Sequence, residues 1–306
     1  MEPLISIVLC TYNGERFLQA QIDSLLQQTW PHLEIMVSDD CSTDGTREIL
    51  AAYETDPRFR ITYQPQNLGA VANFDFAARQ ATGAYIAFCD QDDIWLPEKI
   101  EKLYRAIGDR WLIYSDSILV NEDGLSLQKN LSQLRNMYSG ADTRGFVFSN
   151  VVWGHAMLVN RDLMPHVLPI PAGVPHDIWF AMRATIYTGI HYLDEPLTLY
   201  RQHAKTVTTT LAQKAVTRKH EQRYLDFEEK LNWIGLIRDS ENGSRKTFYA
   251  GLYELYSQKA RGRFVWKLFF FLLQYQEELF YFTRKSSLSR LIEIRKLSRG
   301  ERNNHS

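Results

Sequence analysis

Over the first hundred residues, short apolar runs rich in β-branched side chains alternate with segments of helical period. Residues 4–10 (Leu-Ile-Ser-Ile-Val-Leu-Cys) read as a strand buried on both faces. Leu18, Ile22, Leu25 and Leu26 then share one helical face, and Trp30-Pro31 ends that pattern. Residues 33–38 predict a second strand, with Ser42 or Thr43 capping a helix that buries Ile49, Leu50 and Tyr53. A third strand over 59–63, a helix over 70–80 and a fourth strand over 85–89 complete the series. Strand–helix alternation of this kind predicts an α/β domain with a mostly parallel sheet flanked by helices.

Three of these four strands end in polar clusters: Thr11-Tyr12-Asn13, Asp39-Asp40, and Asp90-Gln91-Asp92-Asp93. In open α/β sheets ligands bind in the crevice beyond the carboxyl ends of the strands, so these clusters mark the expected site. Three closely spaced carboxylates repel one another unless a cation sits among them. Hard oxygen ligands suit Mg²⁺ or Mn²⁺, usually shared with substrate phosphates. Asp92 or Asp93 can also cap a helix starting near Leu96-Pro97-Glu98, which explains one aspartate and not three. In Asp39-Asp40-Cys41-Ser42-Thr43-Asp44-Gly45, ordinary turn and cap chemistry is the favoured reading, although a strand-end carboxylate can accept the imide N–H of uracil or thymine. Gly69, in Asn67-Leu68-Gly69-Ala70, is read as supplying a backbone angle that other residues avoid.

A formal net charge of −1 argues against generic nucleic-acid binding. Cys10, Cys41 and Cys89 have no metal-ligand spacing and fit a reduced cytoplasmic setting. The start of the chain has neither a basic n-region nor a cleavable apolar stretch, so no secretion signal is expected. No Gly-x-Gly-x-x-Gly opens the first helix and no Gly-Lys-Ser/Thr occurs, which weakens dinucleotide and P-loop readings.

After residue 100 the pattern is less regular. Residues 111–115 and 156–159 predict strands separated by a polar loop over 121–141, a helix starts near His176-Asp177, and 191–193 predict a short strand before Pro196. Residues 206–210 are threonine-rich, and the domain boundary is placed near 212, giving a catalytic region 1–211 and a helical region 212–306. From residue 253 onward eleven Lys or Arg stand against five Glu, so the tail is basic. Its apolar run 264–273 is too short to span a bilayer, which takes about 20 residues. Contact with the membrane interface, packing on the catalytic domain and a homodimer interface remain open for it.

Five motifs in order resemble glycosyltransferase family 2, which has the GT-A fold: residues 6–14, 38–44, 67–69, 82–88 and 90–95. Trp153-Gly154, His176-Asp177-Ile178-Trp179 and Tyr200-Arg201-Gln202-His203 extend the resemblance to about residue 205. The resemblance implies that Thr11, Tyr12 and Asp40 hold the base, and that Asn13, Glu15, Asn67 and Gly69 line the nucleotide pocket. It further implies that Asp92 ligates Mn²⁺ or Mg²⁺, with Asp90 and Gln91 nearer the ribose and sugar and Asp90 within reach of the ion. Asp93 is assigned as a helix cap, and His203 joins the metal shell. Trp153, Gly154, His176 and Arg201 fall to the acceptor or diphosphate, and Asp177 to the catalytic base. Where relatives often continue Gly-Asn-Asn-Val after the histidine, this chain reads Ala204-Lys205-Thr206-Val207.

The implied activity is inverting, metal-dependent transfer of a sugar from a nucleotide donor. The motif set looks most like the rhamnosyltransferase-type branch, which suggests dTDP-L-rhamnose, with UDP-hexoses open. The implied acceptor is a bacterial surface polysaccharide, a lipopolysaccharide such as O-antigen or another lipid-linked glycan, met at the cytoplasmic face of the inner membrane. A sugar nucleotidyltransferase is the alternative enzyme class, though it normally needs a basic glycine-rich loop that residues 11–15 do not supply. A carbohydrate-binding relative without turnover is the alternative outside enzymes.

Overall fold

The computed structural model describes residues 2–203 and 219–301 of the 306-residue chain. The expected boundary near 212 and the threonine-rich 206–210 lie outside the described residues. The chain divides into two compact units: residues up to Asp142 with Val151–Gln202, and Thr143–Asn150 with the residues from His203 onward.

The first unit is built on β1 (Ile5–Thr11), β2 (Leu33–Asp39), β3 (Phe59–Tyr63), β4 (Tyr85–Cys89), β5 (Ile94–Trp95), β6 (Leu112–Val120), β7 (Ser126–Asn130), β8 (Met157–Asn160) and β9 (Ile190–Arg201). They form one sheet in the order β3-β2-β1-β4-β8-β6-β9-β5, with β7 on β6. Strands β3, β2, β1 and β4 are parallel, while β8 runs antiparallel to both β4 and β6. The helices are α1 (Leu18–Leu26), α2 (Thr46–Ala51), α3 (Ala70–Gln80), α4 (Lys99–Ala106), α5 (Leu131–Leu134), α6 (Met164–Val167) and α7 (His176–Tyr187). Ile5, Ile7 and Leu9 of β1 are fully buried in one cluster with Leu18 and Ile22 of α1 and with Ile100 and Leu103 of α4. Each such side chain contributes about 1.5–3 kcal/mol of hydrophobic stabilisation.

The Thr82-Gly83 pair before β4 has a structural cause. The buried Glu34 carboxylate accepts hydrogen bonds from Ser6 Oγ at 2.5 Å, Thr82 N at 2.6 Å and Gly83 N at 3.2 Å. A Cβ at Gly83 would lie 2.6 Å from Ser6 N, so only glycine brings its amide to that carboxylate. Burial alone would raise the pKa of Glu34, but the bonds from Ser6 and Thr82 outweigh it and hold the carboxyl below its ordinary value.

Three differences from the sequence expectation share a cause in β pairing. Strand β9 does not stop before Pro196; it continues to Arg201 because its register against β6 shifts on either side of Asp116, and a bulge accommodates proline. The polar loop 121–141 contains β7, an edge strand whose side chains are mostly exposed. Between the aspartates expected to cap it and the helix start expected near Leu96-Pro97-Glu98, Ile94 and Trp95 form β5 against Leu199 and Thr198 of β9.

The second unit is helical: α8 (Lys219–Ser240), α9 (Gly243–Ser257), α10 (Trp266–Gln274), α11 (Gln276–Leu279) and α12 (Ser287–Leu297). Residues 143–150 belong to it through hydrogen bonds from Trp233 Nε1 to the Phe146 carbonyl (2.9 Å) and between Thr143 Oγ1 and Tyr249 OH (2.9 Å). Among the described residues no helix is long and apolar enough to cross a membrane.

Candidate active site

Parallel pairing sets Thr11 beside Asp39 and Leu9 beside Cys89, so the loops after β1, β2 and β4 share one sheet edge. The chain runs from β1 to β2 on one side and returns to β4 on the other, the arrangement that opens a crevice at a strand-order switch.

The first two loops are tied to each other. Asp39, fully buried, accepts from Thr11 Oγ1 (3.0 Å), Ser42 N (3.0 Å) and Arg47 Nε (3.0 Å). Asn13, at φ 48°, accepts from Thr43 N at 2.8 Å, and Glu15 accepts from Gly45 N at 2.7 Å. Asp40 accepts from Leu68 N (2.6 Å) and Gly69 N (2.9 Å), while Asn67 Nδ2 reaches the Asp40 carbonyl at 3.4 Å. Gly69 sits at φ 82° with open space around a built Cβ, so its requirement is conformational and not steric. These side chains hold the loops at this sheet edge to one another. Tyr12 is about half exposed.

Gln91 ties two of these loops together. Its amide donates to the Tyr12 carbonyl at 3.0 Å and accepts from Tyr12 N at 2.8 Å, pinning the β4 loop to the β1 loop. A Cβ at Gly14 would overlap Gln91 Oε1, which explains the glycine in Tyr12-Asn13-Gly14.

The acidic cluster is also reassigned. Asp93 is not a helix cap: α4 starts at Lys99 with Glu98 at its N-cap position, and Asp93 is completely buried in the turn between β4 and β5. Its Oδ1 accepts from Arg201 N at 2.9 Å, and its Oδ2 has no hydrogen-bond partner. His155 Nδ1 lies 3.3 Å from Asp93 Oδ2 and 3.7 Å from Asp90 Oδ2, and its Nε2 meets Ser117 Oγ at 3.0 Å. Asp90, Asp93 and His155 thus present one ligand atom each within 4.8 Å of one another. Asp92 and His203, the ligands expected beside Asp90, are not members of this group, and His203 falls in the second unit. Burial, with the charges of Asp92 and Asp90, pushes the Asp93 carboxyl well up, whereas the neighbouring His155 overcomes burial and lowers Asp90.

Arg201 was expected on the diphosphate; the structure buries it to 4% exposure. Its guanidinium donates to the carbonyls of Asp92 (Nε, 2.7 Å) and Glu122 (Nη1, 2.5 Å) and covers the Phe17 ring at 4.7 Å. It fixes the acidic turn.

Asp177 lies in the first turn of α7, where Pro175 is the N-cap residue, and its Oδ1 accepts from Ile178 N at 2.6 Å. A helix start would lower its pKa, but burial dominates; with the Asp90 charge adding and the Ile178 bond opposing, the carboxyl rises to about 7. His176 packs its ring on Phe74 (4.1 Å) and Phe88 (5.2 Å), and burial lowers it to about 4, so it is neutral near pH 7. Gly154 admits that ring, since a Cβ there would lie 2.5 Å from His176 Nε2. Trp153, half-buried, precedes the 3₁₀ turn of Gly154–Ala156 that delivers His155.

Sequence reasoning missed His155 and Lys99. His155 is hidden in an otherwise apolar stretch, where the better expectation is a core histidine. Lys99 is completely buried, donating to the His155 carbonyl and to Thr198 Oγ1 (2.7 Å) over the Trp95 ring. The spacing Lys99, Leu103 within α4 was its available signal: i, i+4 positions share one helix face, and Leu103 is buried.

With this geometry in hand, the model for Glycosyl transferase family 2 matches residues 6–168. TuaG of Bacillus subtilis (strain 168), a glycosyltransferase named for teichuronic acid biosynthesis, is 38% identical over 131 residues, 42% of this chain and 52% of that protein. WfgD of Escherichia coli, named a UDP-Glc:alpha-D-GlcNAc-diphosphoundecaprenol beta-1,3-glucosyltransferase, is 38% identical over 98 residues, 32% of this chain and 38% of its own length. The chain therefore spans about half or less of these curated relatives. The crystal structure of S. aureus TarS 1-349 in complex with UDP-GlcNAc has a TM-score of 0.61 at 16% identity, covering 96% of this chain and 81% of that one. That likeness shows the fold.

Proposed function

Because this chain belongs to glycosyl transferase family 2 and has the GT-A fold, we propose that it is an inverting glycosyltransferase using a pyrimidine nucleoside diphosphate sugar. The observation carrying this reading is the cluster of Asp90, Asp93 and His155 beyond the end of β4, whose Asp90 charge adds to burial in raising Asp177, at the start of α7, to about 7. A general base works best when its pKa lies near the working pH. Asp177 takes the proton of the acceptor hydroxyl while that oxygen attacks the sugar's C1. The bond from C1 to the diphosphate oxygen breaks on the opposite face, and the anomeric centre inverts.

The loops held by Asp39, Asp40 and Gln91 supply the base and ribose crevice, with the Tyr12 ring on its rim. The partnerless Asp93 Oδ2 beside Asp90 and His155 fits a divalent cation, Mn²⁺ or Mg²⁺, with Ser117 orienting the imidazole from behind. A cation bound there supplies neutralisation of charge on the leaving diphosphate.

dTDP-L-rhamnose is the donor implied by motif resemblance. UDP-hexoses compete, since WfgD is named for UDP-Glc and TarS was crystallised with UDP-GlcNAc. The acceptor class is a surface glycan or a lipid-diphosphate-linked glycan, as the names of TuaG and WfgD suggest. The test is a donor panel assayed with undecaprenyl-diphosphate glycans and with free hydroxyl acceptors. Transfer with inversion that disappears in Asp177→Asn, while nucleotide binding persists, supports the proposal. Near-normal turnover by that variant removes Asp177 from the mechanism.

A further inference from the structure

The second unit carries a surface that the proposed chemistry does not use. On α12, Leu288, Leu291, Ile292 and Arg295 follow the spacing i, i+3, i+4, i+7, which places them along one face, and Arg299 lies just past the end of the helix. All five are exposed, Leu288 at 68%, whereas Ile294 and Ser298 on another face are fully buried. This helix therefore has a core face and, separately, an apolar face bordered by arginine.

Helix α10 packs against α12, and the two are joined where Val265 N donates to the Ser298 carbonyl at 2.9 Å. It repeats the pattern: Leu268 and Leu272 are buried, while Trp266 (64% exposed), Lys267 and Phe270 face outward. Over residues 261–299 nine Lys or Arg stand against three Glu. Glu277 and Glu293 are already paired with Arg290 and Lys285. Beside the α12 stripe a groove of about 380 Å³ is lined by Lys285, Ser289, Ile292, Glu293 and Lys296, enough for a small anionic headgroup.

We propose that the exposed face of α10 and α12 docks on an anionic phospholipid bilayer, with Trp266, Phe270, Leu288 and Ile292 entering the headgroup region. Arg295, Lys296 and Arg299 meet lipid phosphates. Charge complementarity selects this occupant: a second copy of the chain would bring another basic surface against the first, and a neutral apolar partner would leave the arginines unanswered. Aliphatic and aromatic groups edged by Lys and Arg are what an interfacial helix presents, and each basic residue near an anionic surface strengthens partition about fivefold.

The test is co-sedimentation of the full chain with phosphatidylcholine vesicles containing about one third phosphatidylglycerol, against pure phosphatidylcholine. No donor is added, so the result stands whether or not the transferase reading does. Binding should require phosphatidylglycerol and weaken with salt. Leu288→Glu with Ile292→Glu, and separately Arg295→Glu with Arg299→Glu, should each reduce partition by at least about tenfold. Melting temperature should be unchanged in both, since the altered side chains are exposed. Absence of vesicle binding, equal binding by the variants, or a dimer that these substitutions convert to monomer would each overturn the proposal.

Discussion

The carboxyl of Asp177 offers a quantitative test, because one cause, burial at the start of α7, sets both a rate and a stability. Its pKa rises from the ordinary 3.8 to about 7. As a base it must be ionised, so the ionised fraction grows from about one eleventh at pH 6 to about ten elevenths at pH 8, and kcat/KM should rise about tenfold across that interval. An unburied aspartate would give a flat profile there. Asp177→Asn should lose about 10²–10⁴ in rate together with the acidic limb of the profile.

The same burial predicts the opposite effect on stability. A carboxyl whose folded pKa is raised has its full favourable contribution below the unfolded value of 3.8, and that contribution disappears as the pH climbs through 7. At 1.36 kcal/mol per pKa unit the wild type forgoes at most about 4 kcal/mol by pH 8. Asparagine keeps an acceptor for Ile178 N and carries no charge. The inactive variant should therefore melt higher than wild type at pH 8 and equally near pH 4, measured by calorimetry at both. A flat rate profile, or a variant less stable at pH 8, would refute the burial argument.

Gly14→Ala should displace Gln91, cost about 1–3 kcal/mol and weaken donor binding through Tyr12. Adding Gln91→Ala removes the overlap, so the double variant should recover stability but not affinity, checked by melting and donor titration. Glu34→Gln leaves donors from Ser6, Thr82 and Gly83 facing an amide and should cost about 1–3 kcal/mol at pH 7. Because the folded pKa of Glu34 is lowered, that deficit should shrink as the pH falls below about 4.5, followed by Tm at pH 7 and pH 3. Arg201→Ala should lower Tm along with donor affinity, since it frees the turn at Asp92 and Asp93. A raised donor KM with unchanged Tm would return Arg201 to the diphosphate.

The parallel half of the sheet was legible because buried parallel strands are written as contiguous apolar runs, and the strand-end clusters announced its functional edge. Pairing partners were not legible. Pro196 looked like a strand stop because the register shift that accommodates it depends on Asp116, eighty residues away. Edge strand β7 has no inward face to leave an alternating pattern. At the site, residue type was legible and tertiary contacts were not: Arg201 and Gln91 hydrogen-bond to neighbouring loops, and Asp93, expected as a helix cap, joins Asp90 and His155. Only tertiary neighbours distinguish an arginine facing a ligand from one buried on two carbonyls.

The most direct measurement is thermal stabilisation by UDP, dTDP and their sugar conjugates, each with Mn²⁺ and with EDTA, in wild type and Asp90→Asn. A ligand that binds only the folded state raises its stability by about 2.7 kcal/mol at a hundredfold excess over Kd. The account predicts a shift with one pyrimidine nucleotide, larger with its sugar attached, lost in EDTA and lost in Asp90→Asn. A shift indifferent to metal and to Asp90, or none with any donor, would contradict it.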